Sequence, residues 1–306
     1  MGVRIKTNVE SLIAQNKLSE NRRDLNSSLE KLASGQRINK SADDAAGLAV
    51  SERIRARIAS LDVAKRNAND GVSYIQVAEG SLNEITNILV RMRELGSQAA
   101  SDTLGNRERQ FLDREFQQLT QEVARISAST EFNGRKVLDA EGNSEAMRIF
   151  VGASNRASVD GSSSDIDPDE DPDVITINLE ELETLNDSLI EVTDGGLAIV
   201  PDDEDGGAAD LGPDGTSALF ETLDTALNDV ASYRATLGSV QSRLNSAIQN
   251  IEVSTENLSA ANSRIRDVDF AAETAKFTQS KILTAAGASV LAHANAQPEL
   301  VLQMLR

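Results

Sequence analysis

Catalysis and metal binding draw on a short menu of side chains, and this chain carries little of it. Its 306 residues include no cysteine, no tryptophan and one histidine, His293. Without cysteine there is no disulfide framework, thiolate metal site, iron–sulfur cluster or thiol nucleophile. A two-histidine metal motif is arithmetically impossible, and a Ser-His-Asp triad could use only His293, which lies in an Ala-rich run near the C-terminal end. No catalytic residue and no cofactor is expected.

The densest cluster of candidate ligands is Asp165-Ile-Asp-Pro-Asp-Glu-Asp-Pro-Asp173, with carboxylates at alternate positions as in calcium loops. Glu170 stands at the sixth position, where the loop needs glycine, and Thr176 stands where the bidentate Glu belongs. Pro168 and Pro172 favour extended, unpaired backbone. The tract reads as a solvated acidic loop, and no metal site is expected. Asn178 is followed by Leu-Glu and is no N-linked glycosylation site.

The charge is concentrated. Of the formal net −19, nearly all sits in residues 156–215, which hold 19 acidic residues against one basic, Arg156. Residues 1–155 carry 22 basic and 21 acidic residues, and residues 216–306 carry 7 and 9. A near-neutral body with an acidic insertion lacks the basic footprint of a nucleic-acid binder. The most apolar window, 282–292, is about half of the ~20 residues needed to cross a bilayer, so no membrane span is expected. Met-Gly-Val-Arg-Ile-Lys-Thr-Asn8 lacks the apolar run of a secretory signal.

What remains for such a chain is set by the elements it builds. Hydrophobic residues make up 40% of it, aromatics 3%, and proline occurs 5 times. An aliphatic core with so few helix breakers suits helix packed on helix rather than a β-sandwich. Thr7-Asn-Val-Glu10 reads as a capping box, after which Val9, Leu12, Ile13, Leu25, Leu29 and Leu32 carry a helical spacing that Ser34-Gly35 closes. Ser41-Ala-Asp-Asp44 predicts a second cap, and apolar positions from Leu48 to Leu95 then predict one helix of about 55 residues ending near Gly96. A third helix is expected from Asn106 to Ala128, on Phe111, Leu112, Phe116, Leu119, Val123 and Ile126. Phe132-Asn-Gly-Arg135 is a turn signal that, with Val137-Leu138 and Met147–Val151, predicts short strands or a hairpin. Val174–Leu179 reads as a core strand within the acidic insertion, with loops around it. From Thr216 the helical period returns through Leu219, Leu223, Leu227, Val230, Tyr233, Leu237, Val240, Leu244, Ile248 and Ile251. Residues 257–269 read as a polar stretch, and a last helical run begins at Phe270.

Helices of this length pack side by side rather than around a sphere. The expected fold class is mainly α: an elongated, hairpin-like bundle of long helices with coiled-coil packing, a small β-hairpin region and an acidic loop insertion. Both end helices carry apolar stripes with little nearby sequence to cover them, Leu12, Leu25, Leu29 and Leu32 on the first and Val290, Leu291, Leu300, Val301, Leu302 and Leu305 on the last. These are expected to pair with each other and then with neighbouring molecules.

Several segments resemble the signatures of bacterial flagellin, the flagellar filament subunit, in a compact form without large outer domains. Asn8-Val-Glu-Ser-Leu-Ile-Ala-Gln-Asn16, Leu29-Glu-Lys-Leu-Ala-Ser-Gly-Gln-Arg-Ile-Asn39 and Asp43-Asp-Ala-Ala-Gly-Leu-Ala49 resemble the family's N-terminal signature. Phe132-Asn-Gly-Arg-Lys-Val-Leu138 is similar to its hairpin turn. Ala235-Thr-Leu-Gly-Ser-Val-Gln-Ser-Arg-Leu244 and Ala260-Ala-Asn-Ser-Arg-Ile-Arg-Asp-Val-Asp-Phe270 resemble its C-terminal signature. Ala286-Gly-Ala-Ser-Val-Leu-Ala292 and the ending Val301-Leu-Gln-Met-Leu-Arg306 are similar as well. Several motifs in family order are far more specific than any one alone.

The resemblance implies a structural subunit rather than an enzyme, exported by the flagellar type III apparatus without a cleaved signal peptide and polymerising outside the cell into a swimming filament. It implies an inner terminal coiled-coil domain of residues 1–41 with 261–306, a helical spoke domain of 42–155 with 174–195 and 216–260, and acidic variable loops at 156–173 and 196–215. The terminal helices are expected to fold on assembly, where subunit contacts offset the ordering entropy. The implied partners are further copies of the chain, a flagellar export chaperone, the junction and cap proteins, and the Toll-like flagellin receptor of animals. For that receptor, Arg91, Leu95 and Glu115 match the family's recognition patch, while Met92 and Gly96 depart from it; filament contacts are the primary role expected of the same residues. Two alternatives are a hook–filament junction protein, which shares terminal sequence, and a secreted receptor-binding module whose acidic loop captures a cationic partner.

Overall fold

The computed structural model describes residues 8–101, 103–138, 147–152, 172–177, 180–194, 199 and 213–304. Thr7, the acidic tract 165–171, most of the two expected variable loops and Leu305 lie outside the described residues, and of Leu300, Val301 and Leu302 only the helical backbone is described. Mainly α-helical architecture is observed, as the composition and spacing require.

Helix α1 (Val9–Ser34) is capped by Asn8, whose Oδ1 accepts the Ser11 backbone N–H at 3.0 Å. The sequence pointed one residue earlier, to Thr7; two adjacent residues of equal capping strength cannot be separated by spacing alone. The helix stops at Gly35, which takes the left-handed conformation with φ of 70°. Helix α2 (Ala45–Ala99) is capped by Asp44, whose Oδ1 accepts from Gly47 N at 2.8 Å, rather than by Ser41. Residues 41–43 form a turn instead, and Asp43 Oδ2 accepts the backbone N–H groups of Asn39 and Lys40 at 3.1 and 3.0 Å. Helix α3 (Asn106–Ser129) follows the expected bounds.

Asn133 and Gly134, with φ of 51° and 78°, turn β1 (Glu131–Phe132) back onto β2 (Arg135–Lys136). Two successive left-handed residues make the tight turn that matches strand twist. Strand β3 (Met147–Phe150) pairs antiparallel with β4 (Val174–Ile177), placing Met147 opposite Ile177 and Phe150 opposite Val174. Val151 N donates to Asp173 O at 2.8 Å, which extends the ladder.

The sequence reading missed α4 (Glu180–Asp194), a helix inside the acidic insertion. Leu182, Leu185, Leu189 and Val192 recur at helical spacing and are buried, while Glu183, Asp187 and Glu191 are exposed on the remaining face. Helix α5 (Pro213–Arg266) also runs on through the stretch read as a polar break. No Gly or Pro interrupts 239–266, and polarity alone does not end a helix. Asp269 then caps α6 (Phe270–Met304), its Oδ1 accepting from Ala271 N and Ala272 N at 2.9 and 3.1 Å.

The chain divides into two compact units. Residues Ala59–Ser254 share a continuous core in which Ile75, Leu82, Ile85, Leu89, Met92 and Leu95 of α2 are buried with Phe116 and Val123 of α3 and Leu223, Val230, Leu237 and Leu244 of α5. The ion pairs Lys65–Glu252 (2.6 Å) and Arg93–Asp224 (2.8 Å) fix α2 and α5 as antiparallel neighbours. Ile149, Ile175 and Ile177 of the β3–β4 sheet belong to the same core. The second unit comprises Met1–Ile58 and Thr255–Arg306. Within it α1 and α6 lie antiparallel, since Asn8 Nδ2 donates to Ala294 O at 2.8 Å while Ser28 meets Glu273.

Candidate assembly surface

The α1–α6 pair is mixed where an ordinary coiled coil is apolar. On α1, Ser11, Ala14, Leu18, Asn21, Leu25, Ser28 and Leu32 are buried or half-buried and alternate in threes and fours, with Ser27 and Lys31 half-buried beside them. On α6 they are Glu273, Phe277, Ser280, Thr284, Gly287, Leu291 and Ala294, with the same alternation. This is a heptad seam, but much of it is small or polar. Ser28 Oγ donates to Glu273 Oε1 at 2.6 Å within the seam, and Ser11 Oγ donates to Asn295 Oδ1 at 2.7 Å near its other end.

The large apolar side chains mostly point away from the seam. Val9, Leu12, Ile13 and Leu29 of α1 and Phe270, Ile282, Leu283 and Val290 of α6 are exposed, Ile282 at 63% and Val290 at 58%. Phe270, Ala275, Ile282 and Leu283 line an open groove on α6. The stripe that the sequence suggests is therefore divided. Leu25, Leu32 and Leu291 enter the seam half-buried, whereas Leu12, Leu29 and Val290 face solvent. The seam residues Ser11, Ser28 and Glu273 escaped the sequence reading because it followed apolar spacing; their signal is the same 3–4 alternation carried by small and polar types.

Two connectors hold the pair in place. The segment between α1 and α2 bridges to that between α5 and α6 at Gln36 and Asp267. Arg37 N donates to Arg266 O at 2.6 Å, and Val268 N to Gly35 O at 3.1 Å. The Arg37 guanidinium donates twice to Ile265 O, at 3.2 and 2.7 Å, satisfying a carbonyl that the end of α5 leaves open. Arg266 Nη1 meets Glu52 Oε1 at 2.5 Å, and its Nε donates to Gln36 Oε1 at 3.0 Å.

In the other unit, Arg91 and Glu115 do come together. Arg91 donates to Glu115 Oε1 through Nε and Nη2, at 3.1 and 2.8 Å, and to Glu94 Oε2 through Nη1 at 3.0 Å. The hydrogen bond to Glu115, followed by that to Glu94, raises the Arg91 pKa above its ordinary value, so the guanidinium stays charged. Leu95 is in a different setting. It is fully buried, and its helix-mates Met92 and Gly96 are buried too.

His293 lies exposed on α6. Among the described residues no cluster of three or more His, Asp or Glu side chains could hold a metal ion, and no helix is long and apolar enough to cross a membrane.

Comparison with known proteins bears on both ends of the chain. Residues 5–143 match the family model for the bacterial flagellin N-terminal helical region, and residues 220–305 match that for the C-terminal helical region. The chain is 40% identical to a flagellin of Bacillus subtilis over 99% of its own length and 100% of the relative's. It is 38% identical to a flagellin of Halalkalibacterium halodurans, covering 99% of each chain. A flagellar filament 30.7 kDa core protein of Treponema maltophilum is 36% identical over 98% of this chain and 99% of the relative. The crystal structure of a Bacillus cereus flagellin aligns with a TM-score of 0.44 and 27% identity, over 64% of this chain and 94% of that one.

Proposed function

Because this chain belongs to the bacterial flagellins, we propose that its terminal unit is the element through which it polymerises into the filament. The chain is a structural subunit of the extracellular flagellar filament and not an enzyme. The observation that carries the proposal is the α1–α6 pair, whose seam alternates Leu18, Leu25, Leu32, Phe277 and Leu291 with small and polar residues and leaves Leu12, Ile13, Leu29, Ile282, Leu283 and Val290 exposed outside it. An exposed apolar face of this kind is stable only when something covers it. Burying each such side chain is worth about 1.5–3 kcal/mol, enough when repeated to offset the ordering of α1 and α6 on assembly. The inner domain of residues 1–41 with 261–306 and the spoke of 42–155 with 174–195 and 216–260 belong to the same reading, as do the acidic variable loops at 156–173 and 196–215.

The test is seeded growth of Leu12→Gln/Ile282→Gln chain on filament fragments. Both side chains are exposed in the single chain, so helical content should hold while the pelleted fraction falls at least tenfold. Normal growth would overturn the assignment.

Export through the flagellar type III route without a cleaved signal peptide, and transient engagement of an export chaperone and of the junction and cap proteins, complete the proposal. A fusion of the chain's N-terminal segment to a reporter, followed in cells lacking the type III apparatus, tests the export route; secretion there would overturn it. The Toll-like receptor of animals is proposed to read Arg91 and Glu115, with Leu95 holding α2 from within the core. The exposed Arg91–Glu94–Glu115 cluster supports that division of roles.

A further inference from the structure

The last turns of α5 lie beside the first turns of α2, where Arg266 Nη1 and Arg55 Nη1 reach the two oxygens of Glu52 at 2.5 and 3.9 Å. Arg55, Glu52 and Arg266 therefore share one flank of the helix pair. Residues two apart on a helix point about 200° away from each other, so Arg53 and Arg57, either side of Arg55, leave α2 on the opposite flank. Arg264, two residues before Arg266, leaves α5 on that same opposite flank. Arg53, Arg57 and Arg264 are exposed, and none has an ion-pair partner among the described residues. Guanidinium groups gathered in this way, with no carboxylate to answer them, repel one another and attract an anionic surface.

The chain itself carries the complementary face. Glu183, Asp187 and Glu191 recur every fourth residue on α4, so they follow one side of that helix at steps of about 6 Å along its axis. Each is exposed and has no ion-pair partner among the described residues, and α4 contains no Lys or Arg. Glu20, Glu30, Glu79 and Glu122 on the other helices are each answered by a base at 2.6 to 3.8 Å. Arg53 and Arg57 have the same four-residue spacing as the α4 carboxylates, so two guanidinium groups can meet two successive carboxylates one for one. Arg is suited to this, since its planar fork matches a carboxylate with two parallel N–H···O bonds.

We propose that the flank formed by Arg53, Arg57 and Arg264 docks on the Glu183–Asp187–Glu191 face of α4 in a neighbouring copy of the chain. The inference rests on the filament reading above and names one of its subunit contacts. Two unlike faces on one chain make a heterologous contact, which passes from copy to copy and extends a helical polymer when its rotation does not close. A single exposed ion pair is worth little. Here the charges are clustered and the contact recurs on every subunit. It also orients the incoming chain, because like faces brought together repel.

The test is complementation between two charge-reversed chains in seeded growth. Arg53→Glu/Arg57→Glu leaves a chain whose two faces are both acidic, and Glu183→Arg/Asp187→Arg leaves one whose two faces are both basic. The four side chains are exposed, so each chain should keep the helical content and thermal unfolding of the unsubstituted one. Alone, each should lose at least about tenfold in pelleted fraction, because attraction at the contact has become repulsion. Mixed in equal amounts, the two should regain most of the unsubstituted growth and enter the pellet in equal amounts, since the acidic flank of one chain meets the basic α4 of the other. Rescue by mixing cannot arise from a contact within one chain. Normal growth of either chain alone, or a mixture no better than its parts, would overturn the proposal. An unsubstituted chain that fails to grow on the same seeds would overturn the filament reading, and the proposal with it.

Discussion

Arg91 and Leu95 stand one turn apart on α2 and are held by different forces. Arg91 is exposed, and its pairs with Glu94 and Glu115 are screened by water and salt, so Arg91→Ala should leave the melting of its unit almost unchanged. Leu95 is fully enclosed, and Leu95→Ala should cost about 2–5 kcal/mol by transfer and cavity formation together. Thermal unfolding of the unassembled chain separates the two. If the proposed receptor contact is made through Arg91, the Arg91→Ala chain loses receptor binding while melting almost normally. Weak binding by Leu95→Ala would track its fraction folded and vanish on cooling. Asp43 offers a residue-scale test by pH. The Lys40 and Asn39 backbone N–H groups stabilise its carboxylate and pull its pKa below the usual 3.8. A depressed folded value means that the turn's contribution is complete above the unfolded pKa and is lost as pH falls through the folded one. Amide exchange at Asn39 and Lys40 should therefore hold steady down to about pH 4 and quicken, relative to neighbouring amides, only in stronger acid.

The connectors are where helices acquire their placement, and Arg266 ties three of their parts together. Its guanidinium, with 17% of the side chain exposed, serves both Glu52 of α2 and Gln36 of the first connector. Arg266→Ala should leave α5 and α6 helical and free the connectors, raising exchange at the Arg37 and Val268 amides by roughly 5- to 100-fold, as expected for a lost charged contact of about 1–3 kcal/mol. Unchanged exchange would show that the backbone bridge between Gln36 and Asp267 suffices alone. None of this network was legible in the sequence, because Arg37 and Arg266 are more than two hundred residues apart and no period links them. What was legible had a period: the long α2, the Leu112–Ile126 face of α3, though not Phe111, which is exposed, the Asn133-Gly134 turn and the leucine row of α5. The helix α4 carried an equally good period in Leu182, Leu185, Leu189 and Val192, and was hidden by the acidic composition around it. The seam of α1 and α6 was legible only in part, since Leu18, Leu25, Leu32 and Leu291 alternate there with serine, alanine, asparagine and glycine, which carry no apolar signal.

Across the whole molecule the charge is the least evenly distributed property, with 19 of 49 acidic residues in 156–215. Part of that segment is structural: β4 and α4 contribute to the core of their unit, and Asp173 both continues the strand ladder and packs against Gly152. Residues 157–171 and 201–211 carry eleven of the acidic side chains and no basic ones. In a helical polymer those charges recur on every subunit, and like charges on neighbouring subunits repel over a screening length of about 8 Å at physiological ionic strength. Removing both stretches, each replaced by a short Gly-Ser linker, should leave the helices and the β3–β4 sheet intact while lowering the net charge from −19 to −8. Polymerisation should then begin at lower salt, and its dependence on ionic strength should flatten, because the repulsion that salt screens is smaller. Sedimentation of seeded growth across a salt series measures this. An unchanged salt profile would mean that the acidic stretches lie too far apart in the polymer to interact, and an outright loss of growth would mean that they make subunit contacts of their own.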